Sequence, residues 1–169
     1  MTKKRIYFGI DPATSTGFAT PLGSGTWNLS ACKESKRQNR VAEPKYCRPG
    51  KMFQRLDELR QEHMENLTIS ELPDIVLVCE GAASFQRGKA AVRVSHELRG
   101  AVQTWCWVNG ATYVEIEPAD LKKFATGKGN ATKDDMLAVA RKLYKPDCES
   151  DDEADALHLL AWAEQEYRL

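Results

Sequence analysis

The chain contains no run of about 18 apolar residues, so no segment reads as a membrane-spanning helix. It has no C-x-x-C pair, and its five cysteines are odd in number, which argues against a zinc site and against a disulfide framework. Reduced thiols in a cytoplasmic protein are the expectation, with Cys79 and Cys106 as small buried hydrophobes. The opening MTKKRIYFGID is basic but has no long apolar stretch or cleavage site, so no signal peptide is expected. Internal repeats and linker-like stretches are missing too. At 169 residues the chain suits one domain, 1–169, with a substantial core. Net charge is zero, but unevenly spread: residues 1–60 carry 12 Lys/Arg against 5 Asp/Glu, and residues 61–169 carry 12 against 19. An acidic half repels nucleic acid unless cations neutralise it, so the neutral total neither requires nor excludes a DNA partner.

What the chain does have is an ordered series of strand and helix patterns. RIYFGID is a short apolar run and predicts a buried strand, followed by a turn at PATSTG. GFATPLG and GTWNLS predict two more strands in a meander. Residues 31–50, with six Lys/Arg and two prolines, predict a long basic loop. Met52, Phe53, Leu56, Leu59 and His63 recur at helical spacing over 51–67. DIVLVCEG is the strongest strand signal, 87–108 predicts a long helix with Ala91, Val94, Leu98, Ala101, Val102 and Trp105 on an apolar face, and 112–118 predicts a strand. Pro118 opens a short helix, Thr132 caps another that runs to about Tyr144, and SDDE reads as a capping box of Ser150 with Glu153 before a last helix. The order predicts an α/β fold: a mixed five-stranded sheet in which an antiparallel meander of three strands joins two parallel strands, flanked by helices.

Acids stand where strands rarely place them. Asp11 closes the first strand and Glu80 the fourth, although strands disfavour Asp and Glu. Asp152 and Asp155, three apart at the head of the last helix, share one face. Each has a plainer alternative: Asp11 as a turn residue before Pro12, Glu80 as a backbone-bonded strand end, and the acids of SDDEAD as complements to the helix dipole. The dipole role is favoured for Asp151 and Glu153. Clustered carboxylates need a counter-charge, and oxygen donors call for magnesium or manganese; two such ions can hold both oxygens of a phosphodiester displacement. Lys133 sits at a helix start beside a glycine-rich loop, which suits a phosphate. His158, one turn beyond Asp155, is a neighbour with an auxiliary role open to it.

Taken together, GIDPATSTGFA, VLVCEG, LKKFATGKGNATK and DEADALHLLAWA resemble the RuvC-type Holliday junction resolvases of the RNase H-like superfamily, in order over most of the chain. The resemblance implies an RNase H-like fold, metal ligands at Asp11, Glu80, Asp152 and Asp155, and lysines near the scissile phosphate at Lys133 and Lys122. It does not separate Lys122 from Lys123. It implies a magnesium- or manganese-dependent endodeoxyribonuclease with two ions per site, leaving 5′-phosphate and 3′-hydroxyl ends, and a homodimer acting on four-way junctions. Candidate DNA contacts are Arg37 and Arg40, with Lys33, Lys36, Lys45 and Arg48, in the basic loop; Phe85, Arg87, Lys89 and Arg93 after Glu80; and Lys122, Lys123 and Lys128. Phe85 is the nearest aromatic for stacking at an opened junction.

The chain departs from the family pattern at Ala13, where glycine is usual, and in the length of 31–50. Both bear on junction selectivity more than on catalysis, and a phage-type relative that cuts several branched structures is an open alternative. Other readings are a flap-cutting RNase H-like nuclease and a non-catalytic junction-binding protein. GIDPATSTG also resembles the first phosphate motif of actin-like ATPases, but the chain is too short for their second large domain.

Overall fold

A computed structural model describes residues 4–30, 47–81 and 89–167, without the side chains of 89–91. The strands are β1 (Arg5–Asp11), β2 (Ser15–Thr20), β3 (Gly23–Asn28), β4 (Asp74–Glu80) and β5 (Thr112–Ile116). The helices are α1 (Arg48–Met64), α2 (Lys89–Asn109), α3 (Pro118–Thr126), α4 (Lys133–Leu143) and α5 (Asp151–Glu166). The sheet order is β3-β2-β1-β4-β5. β1–β2 and β2–β3 pair antiparallel, while β1–β4 and β4–β5 pair parallel, as the meander-plus-parallel reading expects.

Side chains on a strand alternate between the two faces of the sheet, and here the alternation divides the core. Ile6, Phe8 and Ile10 of β1 and Ile75, Leu77 and Cys79 of β4 join Met52, Leu56 and Leu59 of α1 and Leu98, Val102 and Trp105 of α2. Tyr7 of β1 and Val76 and Val78 of β4 join Leu121 of α3, Met136 of α4, and Leu159 and Ala163 of α5. Burial of Cys79 and Cys106 in the first cluster matches their expected role and pushes the Cys106 thiol up to about 12. No helix among the described residues is long and apolar enough to cross a membrane.

Three boundaries differ from the sequence reading. α1 begins at Arg48 rather than Lys51, because Pro49 is accommodated in the first turn and the Cys47 sulfur accepts the Gly50 N–H at 3.3 Å. It ends at Met64, and Asn66 turns the chain at φ 65. Arg48 is therefore a helical residue, 3.9 Å from the Glu97 carboxylate, and not part of a basic loop. β2 starts at Ser15, inside the stretch read as a turn, because its pairing with β3 runs from Ser15 opposite Asn28 to Thr20 opposite Gly23. Pairing across the sheet outweighs the turn preference of small hydroxyl residues.

Candidate active site

The alternation that builds the core also sorts the acids. Asp11 falls in phase with Tyr7 on β1, and Glu80 in phase with Val76 and Val78 on β4; both are half-buried and share the sheet face covered by α5. Ile10 lies opposite Cys79 in the parallel ladder, so Asp11 and Glu80 follow at adjacent strand ends. A burial pattern that is apolar up to the last residue of both strands thus ends in two neighbouring carboxylates.

α5 brings the other pair. Ser150 caps it, its side chain accepting the Glu153 N–H at 3.1 Å. Two glycines of the sheet let the helix approach the backbone closely. A Cβ built on Gly17 would stand 1.8 Å from the Asp152 carbonyl oxygen, and one on Gly9 would stand 2.3 Å from that of Ala156. Gly17 is the direct partner of Asp11 across β1–β2. The residue facing Asp11 therefore has no side chain, and the first turn of α5 takes up that space.

Burial, then the negative charges of Glu80, Asp151 and Asp152, push Asp155 up to about 7, against the opposing pull of Lys133. Lys133, the first residue of α4, is bonded to Asp151. That bond holds its ammonium above the usual lysine value; burial opposes this, while the charges of Asp151, Asp152 and Asp155 add to it. Asp151 is held below the ordinary carboxylate range, chiefly by the same bond. Asp151 is thus more than a complement to the helix dipole, because it anchors Lys133 beside the acids.

Among the described residues, Lys133 is the lysine of the expected set that bonds to an acid of this group. Lys122 is half-buried on α3, while Lys123 on α3 and Lys128 just beyond it are exposed. Arg93 is exposed on α2. Lys89 begins α2, but its side chain lies outside the described residues, as do Lys33, Lys36, Arg37, Arg40, Lys45, Phe85 and Arg87.

Two sequence expectations change. Glu153 does more than cap: besides reaching back to the backbone at Glu149, it turns inward. Its carboxylate is buried and accepts from the Ser24 hydroxyl at 2.7 Å and from the Lys145 ammonium at 2.6 Å. His158 turns away to α4: it is fully buried, and its Nε2 lies 2.9 Å from the Met136 carbonyl oxygen. Burial lowers its pKa, with the Met136 contact opposing, so the neutral ring donates that bond. It ties the helix bearing Lys133 to the helix bearing the acids. The glycine seat and the Glu153 contacts had one legible signal, a glycine inside each of two strands, which marks a close approach.

No three His, Cys, Asp or Glu side chains among the described residues already stand in a metal-binding arrangement. The donor chemistry still fits a hard divalent cation. The candidate ligands are all carboxylates, and Asp155 is a partly buried carboxyl whose like-charged neighbours favour its protonated form until a positive charge relieves them.

A pH dependence follows. With the Asp155 pKa raised to about 7 in the folded protein against about 4 unfolded, the native state binds the extra proton between those values. Folding stability at this site is therefore full below about pH 4, falls as pH rises to 7, and stays reduced above it. In magnesium-free buffer, Asp155→Asn should raise the melting temperature at pH 8 by about 5 °C and change it little at pH 4. Thermal melts at the two pH values check this; an equal shift at both would remove the charge explanation.

No protein-family model matches the chain. It is 34% identical over 108 residues to a crossover junction endodeoxyribonuclease RuvC of Carboxydothermus hydrogenoformans, across 63% of this chain and 62% of that relative, which is less than two thirds of the relative's length. Thermus thermophilus RuvC superposes with a TM-score of 0.67 at 18% identity, covering 95% of this chain and 96% of that one. The same protein in complex with a Holliday junction substrate gives 0.62 at 18% identity, covering 92% and 90%. The yeast mitochondrial Holliday junction resolvase gives 0.53 at 13% identity, covering 99% and 83%. The chain thus shares the fold of Thermus thermophilus RuvC over nearly its whole length, and over 108 residues its sequence is similar to that of a crossover junction endodeoxyribonuclease RuvC.

Proposed function

We propose that the protein is a metal-dependent endodeoxyribonuclease that resolves Holliday junctions or related branched DNA. The observation that carries this reading is the shared sheet face. It sets Asp11 and Glu80, at adjacent strand ends, beneath the first turn of the helix that bears Asp152 and Asp155. The sequence and fold likeness to RuvC supports it.

Asp11, Glu80, Asp152 and Asp155 would hold the metal, and their oxygen-only chemistry suits magnesium or manganese. Bound there, two such ions would activate a water for in-line attack on phosphorus and stabilise the departing 3′ oxygen, leaving a 5′-phosphate. Lys133 contributes a cation at the edge of the acid group, placed to neutralise charge on the scissile phosphate once DNA displaces Asp151 from it. Lys122, Lys123, Lys128 and Arg93 offer further phosphate contacts, and the basic residues of 31–46 extend that set in sequence. A four-way junction has two-fold symmetry, which a homodimer matches.

The test is cleavage of a synthetic four-way junction with and without magnesium or manganese, beside flap, linear duplex and RNA–DNA hybrid, with the product ends mapped. Paired nicks on the junction, bearing 5′-phosphates, are the expected result. Equal cutting of flap and junction would favour the broader nuclease reading. Junction binding with no cleavage in either metal would leave only the binding-protein reading.

A further inference from the structure

The later turns of α5 are keyed by Leu159 and Ala163 in the core and by the His158–Met136 bond, whereas its first turn rests on Gly17, which fixes its distance from the sheet but offers no side chain to set its roll. For a helix of about 5 Å radius with side chains, a roll of about 20° carries a carboxylate roughly 2 Å sideways. A catalytic constellation tolerates about 0.5 Å. The first turn of α5, which bears Asp152, therefore needs an anchor of its own.

Glu153 has the geometry for it. It lies between Asp152 and Asp155 in sequence, but about 100° round the helix from Asp152, and so points elsewhere. It is only 5% exposed. Its Oε1 takes the Ser24 hydroxyl from β3 at 2.7 Å and the Lys145 ammonium from the segment between α4 and α5 at 2.6 Å. The Lys145 ammonium also lies 3.5 Å from the Ser24 carbonyl oxygen. The three groups form a closed, charge-balanced knot joining residues 129 positions apart. Balance matters here, because Lys145 cancels a carboxylate that would otherwise add to the crowded negative charge next to it. A buried ion pair of this kind gives little net stability against an apolar replacement; what it supplies is one orientation.

We infer that Glu153, held by Ser24 and Lys145, is the positioning residue that sets the roll of the first turn of α5 and so aims Asp152 and Asp155 at Asp11 and Glu80. The inference rests on the metal-dependent reading above and assigns no contact with metal or DNA to Glu153 itself.

The experiment compares wild type with Glu153→Gln, Lys145→Met and the milder Ser24→Ala. Asp57→Ala serves as a control, since it removes the 2.7 Å Trp105–Asp57 bond between α2 and α1, on the far side of the sheet. Magnesium binding is followed by calorimetry, the magnesium requirement by junction cleavage, and the first turn of α5 by amide exchange at 151–156. The Glu153 and Lys145 variants should need roughly tenfold more magnesium in both metal assays, with faster exchange confined to the first turn. Ser24→Ala should move about two- to threefold in the same direction. Asp57→Ala should lower the melting temperature and leave the magnesium requirement unchanged. Glu153→Gln that melts lower but binds magnesium like wild type overturns the inference, because its role is then only structural. A Ser24→Ala variant with a wild-type requirement does the same if Glu153→Gln fails to fold. Wild type that neither binds nor uses magnesium overturns the metal reading, and this inference with it.

Discussion

Replacing Asp11 or Asp155 by asparagine should reduce magnesium-dependent junction cleavage about a thousandfold or more, while junction binding stays the same or tightens slightly. Each substitution keeps the shape of the side chain and removes one charged donor from a group of half-buried acids. Losing such a donor takes away several kcal/mol of transition-state stabilisation, and each 1.4 kcal/mol or so is a factor of ten in rate. Binding should behave oppositely, because it comes from cations on phosphates and a lost carboxylate reduces repulsion. Stability separates a functional effect from damage: Asp155→Asn should melt higher than wild type at pH 8 without metal, yet be inactive. A site that gives up stability to hold like charges together has that signature. Single-turnover cleavage and gel-shift binding on one junction measure both sides, and near-normal cutting by either variant would take these acids out of the mechanism.

The second large effect concerns a residue with no side chain. Gly17→Ala should lower the melting temperature by about 5 °C or more and abolish cleavage. The new Cβ would stand 1.8 Å from the Asp152 carbonyl oxygen and 2.4 Å from its carbonyl carbon. Both are backbone atoms, so no rotamer change relieves the clash and the first turn of α5 must lift. Overpacking of this kind costs about 1–3 kcal/mol or more, and the lift moves Asp152 away from Asp11, the residue facing Gly17. Gly100→Ala is the matched control: a Cβ there meets nothing within 4 Å, and alanine favours the helix, so it should be neutral or slightly stabilising. Thermal melts and cleavage rates of the two variants decide the point. A fully active Gly17→Ala would mean that α5 does not need its close seat.

Much of this was legible in one dimension. Runs such as FGID and LVCE announce strands by their apolar content, and their terminal acids stand out because strands disfavour them. Ser150 and Thr132 mark helix starts by local hydrogen bonding that needs nothing from the rest of the chain. Local chemistry fails where two distant segments compete for the same atoms. Ser15 and Thr16 belong to a strand because β3 pairs with them, and Arg48 belongs to a helix that also engages Glu97. Glu153 matched a capping box by spacing, yet its carboxylate is also taken by Lys145 and by Ser24, 129 residues away. His158 shared a helix face with Asp155 on a wheel, but the carbonyl of Met136 on α4 draws it aside.

By itself, then, the sequence determined which elements form and where the candidate carboxylates fall on them. Periodicity, turn chemistry and capping are short-range, and four carboxylates at element ends are visible in the order of letters. Only the tertiary structure decided how those elements meet. It put Asp11 and Glu80 on the face that α5 covers, brought the first turn of α5 down on Gly17, bound Lys133 to Asp151, and turned Glu153 inward to Ser24 and Lys145. Each of these depends on contacts between segments far apart in the chain, where steric fit and burial, not local propensity, set the energy.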